Sequence, residues 1–332
     1  MKPLLLKRLL SRARKFVLIR TDRVGELLLT TPAIRTLKEN FPDASFDIVV
    51  NPRSREAVEG NPYVHSILEF DPAGKKTLFD LARLARLFSR YDVSIIFNPS
   101  KVFNIVTYLA RIPLRVGYDR KWGFLLNHTI ADLKYRADKH EIEYNLDLVR
   151  ALGISAVSHE VFFPVSGKAR THLEGYLQDR RMPALYDVLV HPFASTPQKC
   201  WPRENIIALL RLLIEKGYKV GVVGGKDFAI EARAIRKEFP DRALADFVGE
   251  LPLQEFGALL EKTKVLVSGD SGPVHIASAL GRRSVVLFCD HSAPVRWGPY
   301  GGGSQVIRKT RLSEITPEEV YDRIEKTMSE RA

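Results

Sequence analysis

The sequence predicts an α/β protein made of two consecutive doubly wound, parallel-sheet domains facing a central cleft. Three observations support this. Short apolar runs alternate with amphipathic stretches along the chain, the order that builds βαβ units. The alternation restarts near residue 187, beyond a polar, glycine-containing stretch around residues 164–170. The 332 residues also exceed the roughly 250–300 that one core usually organises. The domains are therefore expected at 1–165 and 166–332.

In chain order, residues 1–16 open with an amphipathic pattern. Leu5, Leu6, Leu9, Leu10 and Ala13 share one helical face, and Lys7, Arg8, Arg12, Arg14 and Lys15 surround it. The stretch lacks the apolar region and cleavage pattern of a signal peptide. It is either an interfacial contact for an anionic membrane, spanning residues 1–15, or an ordinary helix packed on the protein. Residues 16–20 are a buried strand. Residues 21–42 carry one helix, with Leu27, Thr31, Ile34, Leu37 and Lys38 near helical spacing and Phe41-Pro42 as its stop. Residues 46–50 are the next strand, 77–90 an amphipathic helix, 93–98 and 114–120 strands, and 144–152 a helix closed by Gly153.

The second cycle begins with a strand at 187–191 and a loop ending in Trp201-Pro202. Helix 203–217, strand 218–225, helix 228–239, a buried turn at 246–249, helix 253–263 and strand 265–270 follow. A short helix at 272–281 leads to 284–289 as the last central strand. Residues 316–329 form the final helix, with Thr316 as N-cap and Pro317 in its first turn, and it is placed to pack back on the first domain.

Composition narrows the chemistry. Apolar residues make up 45% and charged residues 27%, as in a folded globular chain. The 51 Lys and Arg against 39 Asp and Glu leave a formal charge of +12, which favours an anionic partner. No RNA-recognition, homeodomain or zinc-finger pattern is present, so nucleic acid is not the expected partner. Only Cys200 and Cys289 occur, without a Cys-x-x-Cys pair, which argues against a disulfide framework and fits the cytoplasm. No apolar run is long enough for a membrane span. A monomer is expected, since no separate association segment is evident.

Three polar turns lie at predicted strand-to-helix switches, where α/β proteins gather ligands. The first is Arg20-Thr21-Asp22-Arg23-Val24-Gly25-Glu26. Asp22 and Glu26 offer carboxylates, and Gly25 permits close backbone approach; equally, Asp22 caps the helix and Glu26 favours its first turn. The second is the stretch 191–202, where Ser195, Thr196 and Lys199 supply hydroxyls and an ammonium suited to a diphosphate. The third is Gly269-Asp270-Ser271-Gly272-Pro273-Val274-His275. Ser271 and the Gly272 amide are placed to cradle phosphate at a helix N-terminus, with His275 one turn on; the alternative is an Asx turn and a buried histidine. A further turn at 224–227 brings Asp227 and Glu231, either ribose-binding or solvent-facing. Neither Gly-x-Gly-x-x-Gly after the first strand nor the phosphate-loop pattern occurs, which weighs against dehydrogenases and P-loop nucleotidases. Lys101 and Asn104, and the basic group Arg115, Arg120 and Lys121, are candidates for acceptor phosphates or ordinary surface.

Three segments, RTDRVGELLLTTPAIRTL, HPFASTPQKCWPRENIIALL and VSGDSGPVHIASALGRRSVVLF, together with the later GPY at residues 298–300, closely resemble the bacterial ADP-heptose:lipopolysaccharide heptosyltransferases of glycosyltransferase family 9. The resemblance spans nearly the whole chain in the expected order. It implies the two-domain GT-B fold and inverting transfer from ADP-heptose without an obligatory metal or other cofactor. The first domain would take the lipid-linked lipopolysaccharide core acceptor and the second the donor. The family's base maps to Glu26, where most relatives carry aspartate, with Asp22 as its rival. The phosphate-binding lysine maps to Lys199, neighbouring hydroxyls to Ser195 and Thr196, the donor motif to Asp270, Ser271, Gly272 and His275, and the nucleoside-binding acid to Glu231. A cytoplasmic, peripheral enzyme on the inner membrane's cytoplasmic face follows as an expectation. The resemblance leaves open whether the acceptor is Kdo, the first heptose or a later core sugar.

Overall fold

A computed structural model describes residues 1–74, 77–155, 158–194, 196–240 and 243–330. The chain divides into two compact units, Met1–Phe162 and Phe163–Ala332, three residues before the expected boundary.

The first unit runs α1 (Pro3–Arg12), β1 (Lys15–Arg20), α2 (Val24–Leu28), α3 (Thr31–Asn40), β2 (Ser45–Val50), β3 (Ser66–Glu69), α4 (Leu78–Phe88), β4 (Val93–Ile96), α5 (Lys101–Leu109), β5 (Leu114–Tyr118), β6 (His128–Ile130) and α6 (Glu141–Arg150). Among the described residues its strands form one six-stranded sheet in the order β3-β2-β1-β4-β5-β6. All neighbours pair in parallel. Five consecutive residues of β1 are buried, as a parallel strand covered on both faces requires. Val17, Ile19, Val49, Phe88, Phe103 and Val106 belong to one core cluster of this unit.

The expected helix across residues 21–42 is in fact two. Pro32 has no N–H to offer the Leu28 carbonyl, and the Thr31 hydroxyl donates to that carbonyl instead at 2.7 Å. The Thr30 hydroxyl likewise donates to the Glu26 carbonyl at 2.9 Å. Apolar periodicity continues through the break, so the pattern alone conceals it.

The second unit runs α7 (Gly167–Asp179), β7 (Tyr186–His191), α8 (Arg203–Glu215), β8 (Val220–Val222), α9 (Ala229–Arg236), β9 (Ala245–Asp246), α10 (Leu253–Glu261), β10 (Thr263–Gly269), α11 (Gly272–Ala279), β11 (Arg283–Phe288), α12 (Pro294–Trp297), β12 (Gln305–Arg308) and α13 (Pro317–Ser329). Its described residues also form a six-stranded parallel sheet, ordered β12-β11-β10-β7-β8-β9. Counted within the unit, this is the same order as in the first. One further strand, β12, lies outside β11, which was expected as the last central strand. The Thr316 hydroxyl accepts from the Glu319 amide and caps α13 as expected. The apolar face of α13 is spent in its own unit, where Val320 and Ile324 enter the core beside Trp201 and Leu209.

In each sheet the chain winds outward from two adjacent central strands, β1 and β4 in one unit and β7 and β10 in the other. The crevice beyond their carboxyl ends is where such folds bind ligands.

Candidate functional site

At the first switch point, β1 ends in Arg20, whose side chain is only 2% exposed. A buried guanidinium needs partners: both terminal nitrogens of Arg20 are hydrogen-bonded, and its Nε meets Asp22 as an ion pair outside hydrogen-bond geometry. Its Nε stands 2.8 Å from Asp22 Oδ1 and one terminal nitrogen 3.1 Å from Glu141 Oε1. The other donates to Asn145 Oδ1 at 3.1 Å and to the Phe97 carbonyl at 3.3 Å. Beyond β4, Asn98 accepts from the Thr21 amide and donates to the Thr21 hydroxyl, both at 3.4 Å, and so ties the two strand ends together.

Glu26 sits half-buried in the first turn of α2. Burial, and next the neighbouring charge of Asp22, raise its carboxyl above the ordinary glutamate range, against the pull of Arg20 and Arg23. Asp22 and Glu26 therefore differ in kind. Asp22 is bound to Arg20, whereas Glu26 holds its proton more tightly than an ordinary glutamate, as suits a base.

The acceptor candidates separate on burial. Asn104 is 1% exposed, and its amide donates to the backbone carbonyls of Lys121, at 2.8 Å, and Arg120, at 3.4 Å. It shapes that turn from below. Arg115 is also turned inward, donating to the carbonyls of Ile112 and Leu125. Lys101 and Lys121 are exposed, and Arg120 pairs with Asp132 at 3.0 Å. Lys121 and the following Trp122 both adopt left-handed backbone, φ 49° and 70°, a conformation non-glycine residues rarely hold. The turn presents Trp122 and Phe124 to solvent, with the Lys101 ammonium 5.9 Å from the Trp122 ring.

At the second switch point, β7 ends in His191 and β10 in Gly269. His191 Nδ1 lies 3.3 Å from both the Ser268 and Ser271 hydroxyls, which are 2.8 Å apart. Burial pushes the imidazole down to about 4, so it is neutral near pH 7. Ser271 occupies the N-cap of α11, but its hydroxyl points to this cluster and makes no side-chain cap. Gly272 follows, then Pro273 without an N–H, and the Val274 amide donates to the Ser271 carbonyl at 3.1 Å, so of these three positions the Gly272 amide is the donor suited to an anion.

Lys199 ends a short 3-10 turn, and its Nζ reaches Asp270 Oδ2 at 2.5 Å. A Cβ on Gly269 would stand 3.3 Å from the Lys199 carbonyl, so this turn lies directly over the end of β10. Lys199, His191, Trp201, Ser268 and Gly269 line one small pocket. Thr196 is exposed beside it in sequence, and Ser195 lies outside the described residues. His275 is buried within α11, and Glu231 is exposed in the first turn of α9. Asp270, Ser271 and Lys199 are thus drawn together; His275 and Glu231 stand on separate footings. Among the described residues, no group of three or more His, Cys, Asp or Glu side chains is placed to hold a metal ion.

The model of glycosyltransferase family 9 (heptosyltransferase) matches residues 82–327. The chain belongs to glycosyltransferase family 9. It is a glycosyltransferase of the GT-B fold, moving a sugar from a donor to an acceptor. Lipopolysaccharide heptosyltransferase 3 of Escherichia coli is 23% identical over 316 residues, covering 92% of each chain. A solved family 9 glycosyl transferase from Veillonella parvula DSM 2008 superposes with a TM-score of 0.85 at 19% identity, covering 95% of this chain and 97% of that one. The structure of E. coli ADP-heptose lps heptosyltransferase II gives 0.80 at 22% identity, covering 95% and 98%.

Sequence reasoning about this family 9 glycosyltransferase missed Lys134, Glu141 and Asn145, which surround Arg20. Glu141 and Asn145 fall four apart on one helical face, but that spacing occurs on any solvated helix. The available signal was Arg20 itself, a charge at the inner end of an apolar strand, which demands a buried counter-charge.

Proposed function

We propose that this chain is an inverting heptosyltransferase that moves heptose from ADP-heptose to a lipopolysaccharide inner-core acceptor. The names of the similar chains support the donor and acceptor classes. The observation that carries the chemistry is the division of labour between two carboxylates at the first switch point: Arg20 takes Asp22, and Glu26 is left as the base.

Glu26 removes the proton from the acceptor hydroxyl as that oxygen attacks the anomeric carbon. The glycosidic bond to ADP breaks as the new one forms, with inversion and no covalent sugar intermediate. The second unit receives the leaving diphosphate. Lys199, the Ser271 hydroxyl and the Gly272 amide offset its growing charge, and Ser195 and Thr196 join them by the family resemblance. Loss of one such donor costs roughly 2.7–4 kcal/mol of barrier, by analogy with an oxyanion hole. Asp270 holds the Lys199 ammonium in place until the diphosphate shares it. His275 and Glu231 are assigned to the donor on the same resemblance. On the acceptor side, Lys101, Arg120 and Lys121 provide exposed cations for core phosphates, with Asn104 holding their turn.

The chain works as a peripheral protein on the cytoplasmic face of the inner membrane. Leu4 is 83% and Leu5 48% exposed on α1, and Lys7, Arg8 and Arg12 are exposed around them. That combination suits an anionic bilayer surface. Among the described residues no helix is long and apolar enough to cross a membrane.

The test is mass spectrometry after incubation with ADP-heptose, UDP-sugars and GDP-sugars, each with Kdo-lipid A and with heptosylated precursors. Addition of one heptose from ADP-heptose supports the reading, and the precursor that gains it identifies the acceptor. Turnover of another donor alone rejects the heptose assignment.

A further inference from the structure

Behind Arg20 lies a buried ion pair that the transfer mechanism does not use. Glu141, at the start of α6, is fully buried, and its Oε1 receives both the Arg20 guanidinium at 3.1 Å and the Lys134 ammonium at 2.6 Å. Lys134 also donates to the Phe97 carbonyl at 3.4 Å, the same oxygen that Arg20 uses, and stands 4.9 Å from the centre of the Tyr118 ring. One turn along α6, Asn145 accepts from Arg20 and donates to the Leu29 carbonyl at 2.9 Å. Leu29 is the residue directly after α2, the helix that carries Glu26. The inner face of α6 therefore grips the end of β1 through Glu141 and the end of α2 through Asn145.

We propose that Glu141, Lys134 and Asn145 are positioning residues for the transfer, fixing Arg20 and α2 so that Asp22 stays occupied and Glu26 is the carboxylate left to accept the proton. This rests on the reading of Glu26 as the base.

The argument is one of charge and geometry. Two cations, Arg20 and Lys134, stand among three carboxylates, Asp22, Glu141 and Glu26. Four of the five charges cancel in short contacts: Arg20 with Asp22 and Glu141, and Lys134 with Glu141. Glu26 lies outside these contacts. Facing it directly, Asp22, Arg20 and Arg23 act on its proton, and Glu141 and Lys134 act through their hold on Arg20. Glu141 pairs with Arg20, and Lys134 pairs with Glu141 and shares the Phe97 carbonyl with Arg20. Tyr118, also near Glu141, stays protonated because burial, reinforced by Glu141, raises its phenol. A purely structural ion pair predicts lost stability when it is broken and nothing more. A positioning pair also predicts that the acid limb of the rate profile moves, in a direction set by the sign of the charge removed.

The experiment measures kcat against pH with ADP-heptose on the full chain, for Lys134→Met, Lys134→Arg, Glu141→Gln and Asn145→Ala. Removing the Lys134 cation is expected to move the acid limb up by about one pH unit, and removing the Glu141 charge to move it down by a similar amount. Lys134→Arg keeps the charge and the limb. Asn145→Ala leaves the limb in place but lowers kcat about tenfold with donor KM unchanged, as expected for a loosened α2. The proton can also be followed without turnover. The difference in unfolding free energy between each chain and the same chain carrying Glu26→Gln, plotted against pH, reports the Glu26 proton, and its midpoint shifts in the same directions. Should Glu141→Gln fail to fold because the buried Lys134 ammonium has lost its carboxylate, the two Lys134 variants decide the matter. A limb and midpoint unmoved by Lys134→Met, or moved in the same direction by Lys134→Met and Glu141→Gln, overturn the inference. A limb that survives Glu26→Gln overturns instead the assignment of the base.

Discussion

The ammonium of Lys199 and the carboxylate of Asp270 stand 2.5 Å apart, joining residues 71 positions distant at the end of β10. The pair neutralises the cation proposed above to meet the donor's diphosphate. Two substitutions separate the roles. Lys199→Ala is expected to lower kcat/KM on the order of a hundredfold and to weaken ADP binding, because both the bound and the leaving diphosphate lose a cation. Asp270→Asn keeps the shape but removes a competing anion, so ADP binding by calorimetry should tighten several-fold. Weaker binding would instead mean that the carboxylate itself contacts the donor.

His191 makes stability depend on pH. Its folded value is depressed to about 4 from 6.5 by burial, so the native state binds fewer protons than the unfolded chain between those limits. The stabilisation is complete above pH 6.5 and disappears as pH falls through about 4. Between pH 7 and 5 this one group should remove about 2 kcal/mol, measured by urea unfolding. His191→Gln cannot titrate and should show a flatter dependence. Parallel curves for the two proteins would contradict the assignment.

The α1 surface gives a third outcome. Leu10 and Ala13 anchor the helix by burial, so deletion of residues 1–15 would disturb packing as well as any membrane contact. Leu4→Asp with Leu5→Asp changes only exposed positions and should leave stability within about 0.5 kcal/mol. Co-sedimentation with phosphatidylglycerol vesicles should fall at least about tenfold, since two apolar contacts are lost and two negative charges gained. Undiminished sedimentation would remove α1 from the membrane account.

The sheets were legible in the sequence where burial is complete. β1, β2, β7, β10 and β11 are runs of buried apolar residues and were read nearly to the residue. β3, β6, β9 and β12 escaped, because short outer strands with half-exposed residues have no apolar run to announce them. Residues 101–104 were read as acceptor contacts or ordinary surface, with no helix, yet Ser100 caps α5 by accepting from the Phe103 amide, a local signal that was available. The polar turns at the two switch points were legible because topology places them after strand ends. The pairing of Arg20 with Glu141 was not. Those residues are 121 positions apart, and a charge destined for burial has the same local pattern as one destined for solvent.

The most direct measurement compares single-turnover transfer from ADP-heptose by the chain, Glu26→Gln and Asp22→Asn, with donor affinity measured in parallel. The account predicts that Glu26→Gln keeps ADP-heptose affinity within about twofold and loses at least about 10²-fold in rate, the usual contribution of a positioned base. Asp22→Asn should retain more activity, with its acid limb moved to lower pH, since a neighbouring negative charge has gone. Near-normal transfer by Glu26→Gln, with the loss falling on Asp22→Asn, would contradict the assignment of Glu26 as the base.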